Sequence, residues 1–462
     1  MLEKQVEELY QHVQSQGPLL AHNEDLFCIY EGELLSFIEA ELKNQLSLQS
    51  YEIAKSRIPP INLLTKLIDK LSKIYQQDPM RYALHGTEAD KELLHWYEHS
   101  MDMNVVMNSS NEFFNLFKNN LIQPYVYKGM PRLRSLSSNM FTVYSESEVD
   151  PTEPTHVITF HENKRKDGSI EKLYYVYTDD EFMIFDTDQK IRRDIMSMIG
   201  NPDGVNVAGK IPFVYVNRSK NLLIPKIDTD VKKMVILAPV LLSDINFSVM
   251  MQAFSIMYGI DIDDQGIKMA PNAFWSFKSD PSTETTPSLG VLKPQVDIQP
   301  TMELIQAEIG LWLQTKGIKP GAVGTLTSEN FASGISKMID EMDTSEERQK
   351  QVGIYKSVES KIWNLITNHM HPTWKAQGAI DQPLEFHPDV KIVTDFSEQL
   401  PMLNRGDIVR DLQSEVMAGF TSKRRAIKKL NPRMSEDQID ELLAEIQEDQ
   451  INEESEPEPM EK

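Results

Sequence analysis

Two patterns in this chain have the residue types and spacing of catalytic motifs. His95-Trp96-Tyr97-Glu98-His99 fits H-x-x-E-H, in which two imidazoles one helical turn apart share a face and can hold zinc while the glutamate acts as base. A working zinc site also needs a third protein ligand and an open coordination position, and downstream only Glu112 and Glu162 offer themselves. With ten histidines in the chain a chance match is unsurprising, and Trp96 and Tyr97 then read as packing residues of a surface helix. The second pattern, Gly204-(x4)-Gly209-Lys210-Ile211, nearly completes a phosphate-binding loop. It fails where magnesium needs a hydroxyl, because Ile211 stands in place of Ser or Thr. Pro212 then opens a strand instead of a helix whose N-terminus could receive phosphate. Neither pattern predicts a catalytic centre, and no cofactor or metal is expected.

The elements around these residues are mostly helical. Apolar residues at threes and fours predict a helix from Asp228 to Tyr258. Val231, Met234, Val235, Ala238, Leu241, Leu242, Ile245, Val249, Phe254 and Met257 share one face of it, and Asp244, Ser248, Gln252 and Ser255 line the other. Pro239 removes the bond to the Val235 carbonyl, so the helix either kinks there or starts near Ala238. From Asp261 to Gln295 four prolines surround the aromatic run Phe274-Trp275-Ser276-Phe277, which reads as a small β excursion. Asp297 to Lys316 returns to helix, with Ile298, Met302, Ile305, Ile309 and Trp312 or Leu313 on its apolar face. Gly317, Pro320, Gly321 and Gly324 end it and open a loop rich in small hydroxyl residues, which closes at Ser333-Gly334 before a third helix leaves toward His371.

Upstream, Met1 to Gly17 reads as an acidic helix, an arm for a neighbouring subunit. Asn23 to Leu48 and Ile61 to Gln77 read as further helices, followed by Glu88 to Met101 and Ser109 to Asn119. Short strands are expected at Tyr125 to Tyr127, Phe141 to Tyr144, Val157 to Phe160, Leu173 to Tyr177 and Phe182 to Phe185, with Lys166-Asp167-Gly168-Ser169 as a hairpin turn. Beyond Pro372, Leu384 to Phe386 and Val390 to Val393 read as strands. Helices then run from Gln399 to Met417, Thr421 to Leu430 and Ser435 to Gln447, the last with a capping box at Ser435 and Gln438. The fold class is α+β, mainly helical.

In its order of pieces the chain resembles the portal proteins of tailed bacteriophages, of the siphovirus type. Beside the helices and loop above, Asn62-(x6)-Asp69-Lys70-(x3)-Ile74-Tyr75-(x2)-Asp78-Pro79 looks like the family's early wing helix. Gly209 to Asn217 looks like the strand before its stem, and Ala418 to Arg424 followed by Leu430-Asn431-Pro432 looks like its C-terminal helical region. The resemblance implies an N-terminal wing at 1–227, a first stem helix at 228–260, a clip at 261–295, a second stem helix at 296–318 and a tunnel loop at 319–333. A long wing helix with return strands would follow at 334–396, then a helical crown at 397–447 and an acidic disordered tail at 448–462. It further implies a ring, a dodecamer in the family, serving as head-to-tail connector at one capsid vertex and passing double-stranded DNA. Its implied partners are the terminase large subunit, the major capsid and scaffold proteins, and head-completion or tail-connector proteins. The location would be the virion after assembly in the host cytoplasm.

On that resemblance Gly317, Lys319, Gly321, Gly324, Thr325, Thr327, Ser328 and Asn330 become tunnel-loop residues able to brush phosphates without reading sequence. Lys232, Lys233, Asp244, Ser248, Gln252 and Ser255 become the channel face of the stem, although Lys232 and Lys233 can equally pair with Asp228 or Asp230. Phe274, Trp275 and Phe277 become contacts between neighbouring clips or a local mini-core.

Composition allows this reading. The 462 residues carry a net charge of −23, which argues against tight grip on nucleic acid, since phosphate affinity comes chiefly from Lys and Arg. A neutral or acidic channel wall would let DNA slide, whereas acidity equally serves solubility. The longest apolar run, Met234 to Leu242, falls far short of the roughly 20 residues that span a bilayer, and no signal core follows Met1, so no membrane insertion is expected. A lone Cys28 excludes an internal disulfide. Two readings from other classes stand beside the portal: a zinc-dependent hydrolase built on residues 95–99, and a cytoplasmic helical adaptor with no channel.

Overall fold

A computed structural model describes residues 2–164, 168–253, 256–260, 288–292, 298–318, 334–396, 405–431, 434, 438–440 and 442–446. In chain order its helices begin with α1 (Val6–Ser15), α2 (Gly17–Cys28), α3 (Leu34–Gln45), α4 (Leu48–Lys55), α5 (Leu63–Leu71), α6 (Glu88–Met101) and α7 (Met103–Phe117). They continue with α8 (Arg193–Met198), α9 (Thr229–Ala253), α10 (Ile298–Thr315), α11 (Gly334–Leu365), α12 (His371–Ala376), α13 (Arg405–Met417) and α14 (Lys423–Leu430). The strands are β1 (Met80–Leu84), β2 (Asn119–Tyr127), β3 (Met130–Leu136), β4 (Phe141–Tyr144), β5 (His156–Lys164), β6 (Ile170–Tyr177) and β7 (Phe182–Asp186). They end with β8 (Val214–Asn217), β9 (Ile256–Ile260), β10 (Ser288–Leu292) and β11 (Lys391–Asp395). The architecture is α+β and mainly helical, with antiparallel pairing throughout the described strands.

Two compact units divide the chain. The first takes Met1–Phe27, Thr65–Ile227 and Ser328–Lys462, and the second takes Cys28–Leu64 and Asp228–Thr327. Residues 1–227, expected as one wing, are thus shared between the units.

In the first unit, β4-β5-β6-β7 form one sheet and β3-β2-β8 another, while β1 pairs with β11 across a long stretch of sequence. The N-terminal segment corrects an expectation. It is no arm on a neighbour, for Leu2, Val6, Leu9 and Val13 bury against Ile158, Tyr174, Val176, Met183 and Phe185 of the chain's own four-stranded sheet. The 3.6-residue spacing of those four apolar residues gives them one face, and that face needs the apolar side of a sheet. His12 Nε2 lies 3.0 Å from the Val143 carbonyl, and the Tyr144 hydroxyl donates to Glu8 at 2.6 Å, which fixes the register.

The main core of this unit is built around α11, which begins at Gly334. Tyr355, Val358, Ile362, Trp363 and Leu365 pack with Tyr75, Tyr97, Met107, Phe114, Ile122, Val216, Ile392 and Phe396. A stripe at four-residue spacing on the same helix is polar or polar-tipped: Gln351, Tyr355, Glu359 and Trp363 are all buried. Each finds a partner. Asn111 donates to Gln351 at 2.9 Å, Ser110 Oγ and the Tyr355 hydroxyl lie 3.1 Å apart, and the Tyr75 hydroxyl donates to Glu359 at 2.9 Å. Arg81 from β1 completes the set, donating to both Glu359 oxygens at 2.8 and 2.6 Å, and through Nη1 to Glu98 at 3.0 Å and Asn104 at 2.8 Å. The Arg81 side chain is 1% exposed and that of Glu359 is 0% exposed.

Other differences from expectation are local. The helix expected from Asn23 to Leu48 is interrupted by a wide turn at Ile29–Glu33, where Gly32 takes φ +109°. The helix expected to Tyr258 is described to Ala253, and β9 begins at Ile256 and pairs with β10. Leu384 to Phe386 is not a strand, since Leu384 spends its carbonyl on His371 and Lys375 instead of a ladder. The Ser435 and Lys166-Asp167 signals lie outside the described residues.

Arg81→Met should destabilise the protein by about 3–5 kcal/mol, because it strands the Glu359 carboxylate away from water. Adding Glu359→Leu should restore most of that loss, which thermal unfolding followed by circular dichroism will read. A double variant as weak as the single one would overturn the assignment of the loss to an unpaired charge.

Candidate functional site

The zinc-like motif lies on α6. Its helix starts from a capping box in which Asp90 N donates to the Thr87 side chain and Thr87 N donates to Asp90 Oδ2 at 2.6 Å. His95 and His99 are exposed and meet edge to face, with ring centroids 4.3 Å apart. The glutamate is already engaged: Glu98 accepts from Arg81, and burial pushes its carboxyl above the usual range while the guanidinium pulls it down. Glu112 accepts from Asn108 at 2.8 Å. Among the described residues no group of three His, Cys, Asp or Glu side chains could hold a metal ion. Tyr97 is buried and its hydroxyl lies 2.9 Å from His371 Nδ1. The spacing of the motif therefore serves packing on one side of the helix and the Arg81 cluster on the other.

The phosphate-loop look-alike is a connector with a different reason for its glycines. Gly204 has φ +67°, and a Cβ there would sit 2.6 Å from the Phe182 carbonyl oxygen. Only glycine allows that approach, which lets Phe182 N donate to the Gly204 carbonyl at 2.7 Å. The Lys210 ammonium is bonded to Asp179 at 2.7 Å, and Ile211 N donates to the same carboxylate at 2.9 Å. The segment lines a cavity of about 920 Å³ whose walls carry Glu146, Asp150, Glu153, Asp179, Asp180 and Glu181. A phosphate entering there would meet mostly negative charge.

The stem segments expected to face a channel belong to the second unit. Helix α9 runs unbroken through Pro239, so the start near Ala238 is ruled out. It packs on α3, α4 and α10. Val235, Ala238, Val240, Ser243 and Ile245 are buried, Lys233 and Asp244 are exposed, and Ser248 is half-buried. Val249, expected on the apolar face, is exposed. Lys232 lies over the Phe37 ring, 5.8 Å from its centroid. On α10, Ile305, Ile309, Gly310, Trp312 and Leu313 are buried, while Leu304 is 59% and Leu311 63% exposed.

The two helices are joined at one end by a clasp. Lys316, just past the end of α10, bonds Asp228 at 3.3 Å and Asp230 at 2.9 Å, at the start of α9. Both partners sit where the helix macrodipoles favour them, acids at an N-terminus and a cation at a C-terminus. Gly317 ends α10 in the left-handed region at φ +73°. Ile318 N donates to the Leu313 carbonyl and Gly317 N to the Gln314 carbonyl, each at 3.0 Å, and Leu313 and Ile318 are both buried. That is the paired-bond C-cap with its apolar contact, and it closes the helix where the sequence places its glycine.

Of the remaining expected site residues, Lys319, Gly321, Gly324, Thr325, Thr327, Ser328 and Asn330 lie outside the described residues, as do Ser255, Phe274, Trp275, Phe277 and the side chain of Gln252. Lys316 was absent from the expected set. Its signal was available, since Asp228 and Asp230 precede one helix and a lysine follows the other.

A family model described as phage portal protein, SPP1 Gp6-like, matches residues 20–452, and the chain belongs to that family. Comparison with curated proteins gives no match. Among solved structures the chain is similar to one described as "Neck of empty GTA particle computed with C6 symmetry", at 12% identity and a TM-score of 0.36, over 80% of this chain and 90% of that one. At that identity and score the likeness adds nothing to the assignment, which rests on the family match.

Two substitutions test this geometry. Gly204→Ala should cost about 1–3 kcal/mol of stability through its positive φ and the Phe182 carbonyl, and magnesium ATP at millimolar concentration should leave the melting temperature of the unaltered protein unchanged. A rise with ATP would restore the nucleotide reading. Lys316→Met should cost about 1 kcal/mol at low salt, and the difference should shrink at high salt. A salt-independent loss would mean that the aliphatic stem, not the charge, holds the helix ends.

Proposed function

We propose that the protein is a portal subunit: copies packed side by side form a ring, a dodecamer on the family resemblance, at one vertex of a tailed-phage capsid. Double-stranded DNA passes through its centre inward during packaging and outward at ejection. In this reading α9 and α10 are the stem, residues 261–295 the clip, 319–333 the tunnel loop, α11 the wing helix, and α13 with α14 the crown. Such a ring docks the terminase large subunit during packaging and the head-completion or tail-connector proteins afterwards. It meets scaffold and major capsid proteins during assembly in the host cytoplasm and stays in the virion.

Family membership across residues 20–452 supports the class. The observation that favours side-by-side packing is the outer face of α10. Leu304 and Leu311, seven residues apart and so one above the other, are left exposed while Ile305, Ile309 and Leu313 are used inside the subunit. Burying a leucine against a neighbour stabilises by about 1.5–3 kcal/mol, and the gain recurs at every interface of a closed ring. The hydrolase alternative loses its base to Arg81. The adaptor alternative differs in needing no central hole.

Electron microscopy of the purified protein should show rings with a central hole. Leu304→Glu combined with Leu311→Glu should shift sedimentation toward monomer without changing helix content. Lys319→Ser should leave rings intact and stop packaging, whereas a channel-free adaptor would package DNA normally. Folded monomers that persist even with scaffold and capsid protein present would sink the portal reading.

A further inference from the structure

The chain's acidic character is interrupted locally, most sharply at 416–434 and over the longer stretch 113–145. Residues 113–145 contain no Asp or Glu, in a chain with 70 acidic residues among 462, yet they hold Lys118, Lys128, Arg132 and Arg134. At the average acid content about five carboxylates would fall in such a stretch, and strand composition alone does not remove them all. The stretch includes the β2-β3 hairpin, whose turn is Lys128-Gly129, both at positive φ.

Pairing puts the charges on one face. Gln123 stands opposite Arg134, Tyr125 opposite Arg132 and Tyr127 opposite Met130, so alternation sends these six side chains to the same side. The other side carries Ile122, Pro124, Pro131 and Leu133, all buried in the first unit. On the outer face the Arg134 guanidinium lies 5.4 Å from the Tyr125 ring centroid and the Lys128 ammonium 5.2 Å from that of Tyr127. Arg134 is further held by its Nε donating to Gln123 at 2.8 Å. Among the described residues Asp102 reaches this face, 3.4 Å from Arg132 in an exposed pair. Helix α14 carries five cations, two of them paired with carboxylates, Arg424 with Asp440 and Lys429 with Glu415, while Lys428 bonds the Met434 carbonyl and Arg425 lies 5.6 Å from the Tyr82 ring centroid.

We propose that this hairpin face is a second DNA-binding surface, separate from the channel-facing segments, which takes the phosphate backbone of double-stranded DNA without reading sequence. The proposal rests on the portal reading for its ligand. Cations stacked on aromatic rings are pre-oriented, so less rotamer entropy is lost on meeting phosphate. Guanidinium forks suit phosphate oxygens, and tyrosine hydroxyls add neutral donors. Two residues along a strand advance about 6.7 Å, so Arg132 and Arg134 present two guanidinium groups in a row along β3 to one phosphate backbone. Restriction of the charge to one small face keeps the attachment shallow and salt-sensitive, in a protein otherwise repelled by DNA.

The test uses full-length protein, first checked for rings by electron microscopy, so that failure of the portal reading is seen before any binding is measured. Fluorescence anisotropy with a short duplex of arbitrary sequence should give a dissociation constant that weakens steeply with salt. The triple substitution Lys128→Gln, Arg132→Gln, Arg134→Gln should keep the rings, weaken binding roughly a hundredfold near 0.15 M salt and reduce the log–log salt slope by about 3. Arg132→Lys with Arg134→Lys should recover most of the affinity. Intact rings whose duplex binding is untouched by the triple substitution would overturn the proposal, as would poly-glutamate competing as well as DNA, which would make the face a docking site for an acidic protein.

Discussion

The first unit depends on a charge that has nowhere else to go. Glu359 is placed in the core by its position on α11, four residues beyond Tyr355 and four before Trp363, and an ionised carboxylate there is costly unless it is paired. Arg81 answers it with two bonds, and Tyr75, Trp363 and Thr394 supply further donors to the same two oxygens. Those partners come from the segment after α5, from β1, from α11 itself and from β11, so the cluster ties together pieces remote in sequence. Apolar packing at Tyr355, Ile362 and Trp363 opposes a slide of α11 by its shape alone. The carboxylate opposes it too, because a slide would leave it without the guanidinium. The contribution of the cluster is therefore register more than net stability, since the attraction is largely offset by desolvation.

The second unit is organised on a different principle. Its helices α9 and α10 meet largely through apolar side chains, and the charged clasp between them sits at a helix end, partly open to water. Such a clasp is weaker than the Arg81 cluster and is screened by salt. It fixes the point where residues 319–333 leave α10, while Gly317 lets the chain turn sharply at that point.

Legibility in the sequence followed from how local each determinant is. The apolar face of α10 could be read from Ile305, Ile309 and Leu313 because helical spacing is a local property, and the strands at 141–144, 173–177 and 182–185 because alternation is too. The destination of Val6, Leu9 and Val13 was not legible. Their spacing announces an apolar face without naming the sheet, more than a hundred residues away, that covers it. The burial of Gln351 and Glu359 was hidden for a related reason: α11 carries so many polar residues that its inward stripe cannot be told from its solvated one by hydropathy. The catalytic look-alikes failed through context. In H-x-x-E-H the glutamate belongs to Arg81, and at Gly204 the glycine answers to a carbonyl oxygen.

Charge placement links these observations to handling of DNA. A uniformly basic protein would hold a duplex wherever they touched, and each phosphate contact would have to break for the duplex to advance. Under the proposed function, a net charge of −23 would limit that friction over much of the surface. Four described cations are held by distinct devices: Lys316 between two aspartates, Arg81 inside the core, Arg134 and Lys128 on tyrosine rings. Lys316 and Arg81 are neutralised by carboxylates and serve architecture. On the hairpin, Lys128 and Arg134 are held by ring quadrupoles and an amide, which orient them without a carboxylate partner among the described residues, whereas Arg132 shares an exposed pair with Asp102; under the proposed reading it is the former kind of charge that meets phosphate.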